Sequence, residues 1–275
     1  MTADLHVHTT CSDSTLSPRQ VVEECAAQRV GTVAITDHDA VDGIAPACLA
    51  GLELHVRVIP GVEMTAYVDK TEIHIVGLFI DPADPPLCEV LRLTREERHS
   101  RVNKMVDLLR KLNINITVDD VMKFAGSGAP GRPHVAQALV AVGQVANISE
   151  AFQRYIGSRG PAYVPKYQLS PAQAAADIHR AGGAAIIGHP GVGLADALVR
   201  QLLADGLDGI EAHHPMHTGQ QARHYLEMAA ELGVLVSGGS DCHGEIQEGT
   251  RIGGVIISDK LVDRIERRAE QIRCG

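Results

Sequence analysis

Short apolar runs recur along the chain, and almost every one ends in histidine or a carboxylate. Ala3 to Val7 carries His6 and leads into His8; Thr32 to Thr36 leads into Asp37-His38-Asp39; Val56 to Glu63 ends on Glu63. Glu72 to Phe79 holds His74 inside a β-branched run, and Ala184 to Gly188 leads into His189-Pro190. Asp208 to Glu211 leads into Ala212-His213, and Val234 to Ser237 into Ser240-Asp241-Cys242-His243. Helical patterns separate these runs, at 17–28, 44–51, 171–181, 195–204 and 218–232. Such alternation predicts an α/β fold with a mainly parallel sheet that closes into a barrel. A parallel barrel gathers its chemistry at the C-terminal ends of its strands, where these polar residues fall. Pro60-Gly61 predicts an interruption of the third strand.

The alternation stops in the middle of the chain. Leu87 to Leu112 is one long helical pattern, followed by short helical pieces at 118–124, 133–142 and 149–155 around a Gly/Pro-rich loop at 126–131. We read 99–167 as a helical insertion capping a barrel made of 1–98 and 168–275. Phe124, Phe152, Tyr155, Tyr163 and Tyr167 fall in the insertion and are expected to form its core; the competing reading has one or two stacking on a nucleobase.

The ends of the apolar runs limit the chemistry. In a strand, residues i and i+2 point the same way, so His6 and His8 project together as a ready chelate. A pocket holding so many imidazoles and carboxylates is costly unless cations neutralise it. Fourteen histidines among 275 residues, without a clear thiolate ligand, suit Mn²⁺, Fe or Zn²⁺. Cys242 alternates with Asp241 and His243 and is expected to face away as a packed thiol. The six cysteines form no C-x-x-C pair and read as reduced thiols. A net charge of −9 argues against a long grip on duplex nucleic acid. No membrane-length apolar run and no secretory leader is visible, so a cytoplasmic enzyme is expected.

The segments DLHVHTTCSDST, AITDHDAVDG, IPGVEMTA, EIHIVGLFID, GRPHVAQAL, GHPG and GGSDCHG resemble, in order, the PHP (polymerase and histidinol phosphatase) family of metal-dependent phosphoesterases. The resemblance implies a distorted (β/α)7 barrel with an inserted helical cap and a site for three divalent ions, Mn²⁺ first. It implies that His6, His8, Glu63 and Asp241 hold one ion. Glu63 bridges to a second held by His74 and His134, and Asp13, His38 and His243 hold the third. His189 and Asp241 are the catalytic candidates, with His189 as a ligand or a phosphate contact. His213, His214 and His217 are not required as ligands, and His55, His99, His179 and His224 are read as surface residues.

The GRPH insertion looks most like stand-alone members acting on 3′,5′-nucleoside bisphosphates or short oligoribonucleotides. A metal-activated water would displace the 3′-phosphate and leave the 5′-monophosphate. His189 or groups beside Asp37 are the candidate proton donors to the leaving oxygen. Arg132, at a helix start, is the expected phosphate clamp. Arg98, Arg101 and Lys104 read equally as a second phosphate site or a solvated face; Arg223 and Arg19 are weaker candidates. The expected partners are a small phosphorylated nucleotide and short RNA, with no membrane. The rivals are 5′–3′ trimming of short RNA, histidinol phosphate hydrolysis and, less favoured, cyclic-amide hydrolysis, since no lysine stands at a strand end to bridge metals.

Overall fold

Several helix starts are written locally. Ser17, Ser170 and Thr218 each cap a helix, and Gln20, Gln173 and Gln221 three residues on complete the reciprocal capping box. A computed structural model describes residues 2–69, 71–125, 130–165, 169–246 and 250–275. Two compact units result: Met1–Val90 with Gln168–Gly275, and Leu91–Tyr167. The sequence placed this division at residue 99. It falls instead at Leu91, inside a helix that runs unbroken from Pro85 to Lys111.

The first unit is an eight-stranded sheet ordered β7-β6-β5-β4-β3-β2-β1-β8. Its strands are β1 (Thr2–Val7), β2 (Thr32–Ile35), β3 (Arg57–Val68), β4 (Thr71–Leu78), β5 (Ala184–Ile187), β6 (Gly209–His213), β7 (Leu235–Gly238) and β8 (Ile257–Ser258). The helices of this unit are α1 (Pro18–Ala27), α2 (Ile44–Leu54), α7 (Pro171–Arg180), α8 (Asp196–Ala204), α9 (Gly219–Leu232) and α10 (Asp259–Cys274), with the start of α3 (Pro85–Lys111). Leu5, Ile59, Leu78 and Ile186 form a buried cluster with Val262, Ile265 and Ala269 of α10.

The mainly parallel sheet is as expected, and three details differ. First, β1-β2-β3 and β5-β6-β7 are parallel trios joined by β4, which is antiparallel to both β3 and β5. Second, β3 is not interrupted at Pro60-Gly61. Its ladder with β4 begins at Gly61, so the N–H that Pro60 lacks removes no rung there. Third, a two-residue eighth strand pairs antiparallel with β1; two residues carry no periodicity to read.

β1 also bulges. One extra residue lies between Asp4 and Val7 relative to β2. Strict alternation would set Leu5 and His6 on opposite faces, but Leu5 joins the cluster of Ile59 and Val76 while His6 reaches Glu63. A bulge re-aims side chains in this way.

The chain after β7 closes the barrel onto β1. Cys242 bridges Val7, the His8 amide donates to the Cys242 carbonyl at 3.1 Å, and the Asp241 amide donates to the His6 carbonyl at 2.8 Å. Gly239 permits the approach: a Cβ there would lie 2.3 Å from the His6 nitrogen and 2.5 Å from its Cβ.

The second unit holds most of α3, with α4 (Val118–Ala125), α5 (Arg132–Ala141) and α6 (Ile148–Ala151), the last running into a wider turn at Phe152–Ile156. Met105, Leu109, Ile116, Val121, Val135 and Leu139 fill its core, with Phe152 and Tyr155 packed against them. Phe124 is exposed, and Tyr167 lies outside the described residues.

Gly239→Ala is expected to destabilise the barrel by about 1–3 kcal/mol, the cost of overpacking a tight contact. Urea denaturation measures it; an unchanged midpoint would mean that the closure accommodates a methyl group.

Candidate metal centre

The C-terminal rim of the barrel carries the expected residues. β1 delivers His6 and His8, β2 leads to His38, and Glu63 stands within β3. Because β4 runs backwards, His74 near its start reaches the same rim, opposite Thr65 and diagonal to Glu63. β5 leads to His189, and β7 to Asp241 and His243.

Glu63, buried, lies at the centre. Its Oε1 is 2.8 Å from His74 Nδ1, 3.2 Å from His189 Nε2 and 3.4 Å from His6 Nε2. Its Oε2 is 2.9 Å from His38 Nδ1 and 3.3 Å from His8 Nε2. Asp241 Oδ1 lies 3.1 Å from His8 Nε2 and 3.4 Å from His6 Nε2. Asp13 Oδ1 is 3.3 Å from His243 Nε2, and Oδ2 is 3.7 Å from His38 Nε2.

Three overlapping groups offer ligand atoms within 4.8 Å of one another: His6, His8 and Asp241; His38, Glu63 and His74; His8, Asp13, His38 and His243. Several of their atoms lack hydrogen bonds although buried: His6 Nε2, His8 Nε2, His38 Nδ1, Glu63 Oε2 and Asp13 Oδ1. Buried polar atoms are ordinarily paired, so convergent orphans of this kind fit cations. His134 belongs to the helical unit, in the first turn of α5, with its Nδ1 accepting the Gly131 N–H at 3.1 Å.

Neighbouring groups set the tautomers. Glu211 Oε1 takes the His6 Nδ1 proton at 3.0 Å, which leaves Nε2 for a cation. Its Oε2 accepts the His189 amide at 2.8 Å. His243 Nδ1 donates to the Asp241 carbonyl at 2.9 Å, again leaving Nε2. His214 Nδ1 accepts the Met216 N–H at 3.2 Å, so its Nε2–H donates to Asp241 Oδ2 at 3.2 Å. His217 accepts the Gly191 N–H and donates to the Ala212 carbonyl, holding the turn after His189.

Glu211 and His214 brace candidate site residues, contacts that the strand-end reading passed over. The available signals were the acid at the end of β6 and the paired histidines after it. Asp37, beside which a proton donor was sought, accepts from the Thr9 amide and from the Thr9 and Ser12 hydroxyls at 2.6–2.7 Å. Those bonds make it a brace for the loop carrying Asp13. His189 and Asp241 both hold positive φ, at 26° and 49°, a strained conformation for residues with side chains.

In the metal-free protein, protons take the place of cations. Burial alone would lower the His8 pKa, but the carboxylates of Asp241 and Glu63 beside it push it up to about 10. His74, also opposed by burial, is raised to about 9 by Glu63 and Glu72. Burial raises Glu63, Asp13 and Asp241, but the histidines around them hold all three below the carboxylate range.

Of the substrate candidates, Arg101 is buried and its Nε donates to the Val164 carbonyl at 2.7 Å, within the helical unit. Lys104 is exposed and Arg98 partly exposed. Steps of three residues drift around a helix by about 60° each, so these three do not share one face. Arg132 lies with its guanidinium 5.5 Å from the Phe152 ring centroid and 5.8 Å from that of Tyr163. Arg223 is exposed on α9, and Arg19 pairs with Glu23 and Glu53.

The PHP domain family matches residues 4–156. The chain belongs to the PHP family. It is 35% identical over 249 residues to the 5′-3′ exoribonuclease Rnm of Escherichia coli, covering 87% of this chain and 84% of that protein. It is 33% identical over 256 residues to the 3′,5′-nucleoside bisphosphate phosphatase of Chromobacterium violaceum, covering 91% and 90%. Among solved structures, a Bifidobacterium adolescentis chain, assigned by prediction to the metal-dependent phosphoesterases, superposes with a TM-score of 0.84 at 32% identity, covering 97% and 96%. A C. violaceum chain described as an amidohydrolase with bound sulfate and no metal gives 0.83 at 31%, with the same coverage. This PHP chain is a metal-dependent phosphoesterase of α/β barrel fold. No helix among its described residues is long and apolar enough to cross a membrane.

Two outcomes are expected of the PHP centre. Glu211→Gln turns one of two accepting oxygens into a donor facing a donor, and should weaken metal binding by about 10–100-fold in a chelator-competition titration. In metal-free protein, stability from protonated His8 and His74 is complete below their ordinary pKa of 6.5 and is lost as pH rises through about 9 and about 10. The melting temperature should therefore fall between pH 6.5 and 10 without metal, and much less with Mn²⁺ bound. Parallel curves would contradict the assignment.

Proposed function

We propose that this PHP chain removes the 3′-phosphate from nucleoside 3′,5′-bisphosphates. Two features, each within its own unit, support the reading: a metal centre in the barrel unit, and in the helical unit a guanidinium suited to a phosphate. Arg132 has no carboxylate partner among the described residues, and two aromatic rings keep its planar fork presented. A relative 33% identical bears the name of that phosphatase. Trimming of short RNA from its 5′ end is the second reading, favoured by the 35% identical exoribonuclease.

Three divalent ions, Mn²⁺ foremost, would be held by His6, His8 and Asp241, by His38, Glu63 and His74, and by Asp13 and His243 with shared neighbours, with His134 as a further ligand. When bound, they neutralise the phosphate oxygens and activate water. The protein's own groups do the rest. Glu63 spans the histidines of both halves of the rim and so fixes where their ring nitrogens stand. Asp241, braced by His214, keeps one oxygen toward His6 and His8. His189, whose Nε2 lies 3.2 Å from Glu63, would meet the phosphate and return a proton to the leaving oxygen.

Phosphate release by the Mn²⁺-loaded enzyme tests this across adenosine 3′,5′-bisphosphate, 3′-AMP, 5′-AMP, histidinol phosphate, a 5′-phosphorylated short RNA and a cyclic amide. The bisphosphate should be preferred over either monophosphate. Arg132→Ala should raise KM for it by the equivalent of about 2–3 kcal/mol while metal content stays unchanged. A preference for histidinol phosphate, or a wild-type KM in Arg132→Ala, would overturn the proposal.

A further inference from the structure

The opposite end of the barrel unit carries a second concave feature that the metal chemistry does not use. A cavity of about 500 Å³ opens where β6 and β7 begin. The metal centre lies beyond the other ends of the same strands, a strand length of about 10–13 Å away at the rise of a β-strand. Leu207, Val234 and Leu235 line one side, and Arg264, Arg267 and Arg268 of α10 the other. The arginines stand at i, i+3 and i+4, so they share one helix face.

The charge there is unbalanced. Among the described residues, neither Arg264 nor Arg267 has an ion-pair partner. The carboxylate lining the cavity is Asp208, which is buried and already accepts from His179 Nε2 at 2.7 Å, the Ala185 amide at 2.8 Å and Arg268 Nε at 2.7 Å. Glu266, on the same helix, is engaged by Arg57. Asp208 thus fixes Arg268 as a rigid member of the group, and two further guanidiniums stand beside it unneutralised. In a chain of net charge −9, three neighbouring arginines repel one another until an anion joins them.

Arginine forks match phosphate geometry bidentately. The cavity is much larger than an inorganic phosphate needs and falls in the range of small-molecule pockets. Its apolar side suits the face of a sugar or a flat ring.

We propose that this pocket binds an organic phosphate of nucleoside-monophosphate size, at a site separate from the metal centre. The phosphate would lie on Arg264, Arg267 and Arg268, and the nucleoside on Leu207, Val234 and Leu235. The proposal does not depend on which phosphoester the metal centre hydrolyses.

Calorimetric titration of the full chain with 5′-AMP tests it, both Mn²⁺-loaded and in excess EDTA. Binding should persist in EDTA, and Arg264→Ala/Arg267→Ala should weaken that EDTA-resistant binding by about 30-fold. Arg264→Gln alone should give an intermediate loss. Ligand-free melting temperatures and turnover at the metal centre should match wild type in both variants, since these side chains are exposed and hold no partner. Adenosine should not bind, and inorganic phosphate should bind more weakly than 5′-AMP. Loss of all 5′-AMP binding in EDTA, or equal affinity in wild type and the double variant, would overturn the proposal. So would binding of a 5′-phosphorylated dinucleotide without binding of 5′-AMP, which would transfer the phosphate source to RNA.

Discussion

One buried carboxylate organises the barrel's rim. Glu63 touches five imidazoles, contributed by β1, β4 and the turns after β2 and β5. An anion in that position is tolerated only with positive charge around it, whether protons or cations. The same requirement accounts for the depressed carboxylates and the raised His8 and His74. The ordering of the rim and its fitness to hold cations therefore follow from a single electrostatic constraint.

The backbone satisfies that constraint by two departures from a regular parallel barrel. Reversal of β4 brings His74 to the rim from the start of its strand instead of the end. The bulge in β1 lets Leu5 join the interior cluster while His6 faces Glu63. Strain is concentrated nearby, at His189 and Asp241, where positive φ values turn the chain into the site. Glu211, His214 and His217 hold those turns and the ring tautomers, so the geometry of the candidate ligands depends on residues outside the three ligand groups.

The helical unit has its own logic. Its core is aliphatic, and Phe152 and Tyr155 complete it, while Arg101 is tied to a backbone carbonyl. Arg132 differs from Arg101 because, among the described residues, aromatic faces and not hydrogen-bond acceptors hold it.

The strand-end pattern was legible because a parallel strand must end where its apolar run ends, and a polar residue just beyond it is visible without any tertiary knowledge. That pattern located His6, His8, His38, His189, Asp241 and His243 on one rim; Glu63, expected to end its strand, joins them from within β3, which runs on to Val68. Helix starts at Ser17, Ser170 and Thr218 were equally local, since a cap involves only residues three apart. The direction of β4, the bulge, the two-residue β8 and the roles of Glu211 and His214 were not legible. Each depends on partners far away in the chain, such as Glu211 with His6 or Cys242 with Val7. By itself the sequence determined which side chains are offered to the site. Only closure of the barrel decided which atoms face one another, because strand direction, register and tautomer are settled by long-range pairing.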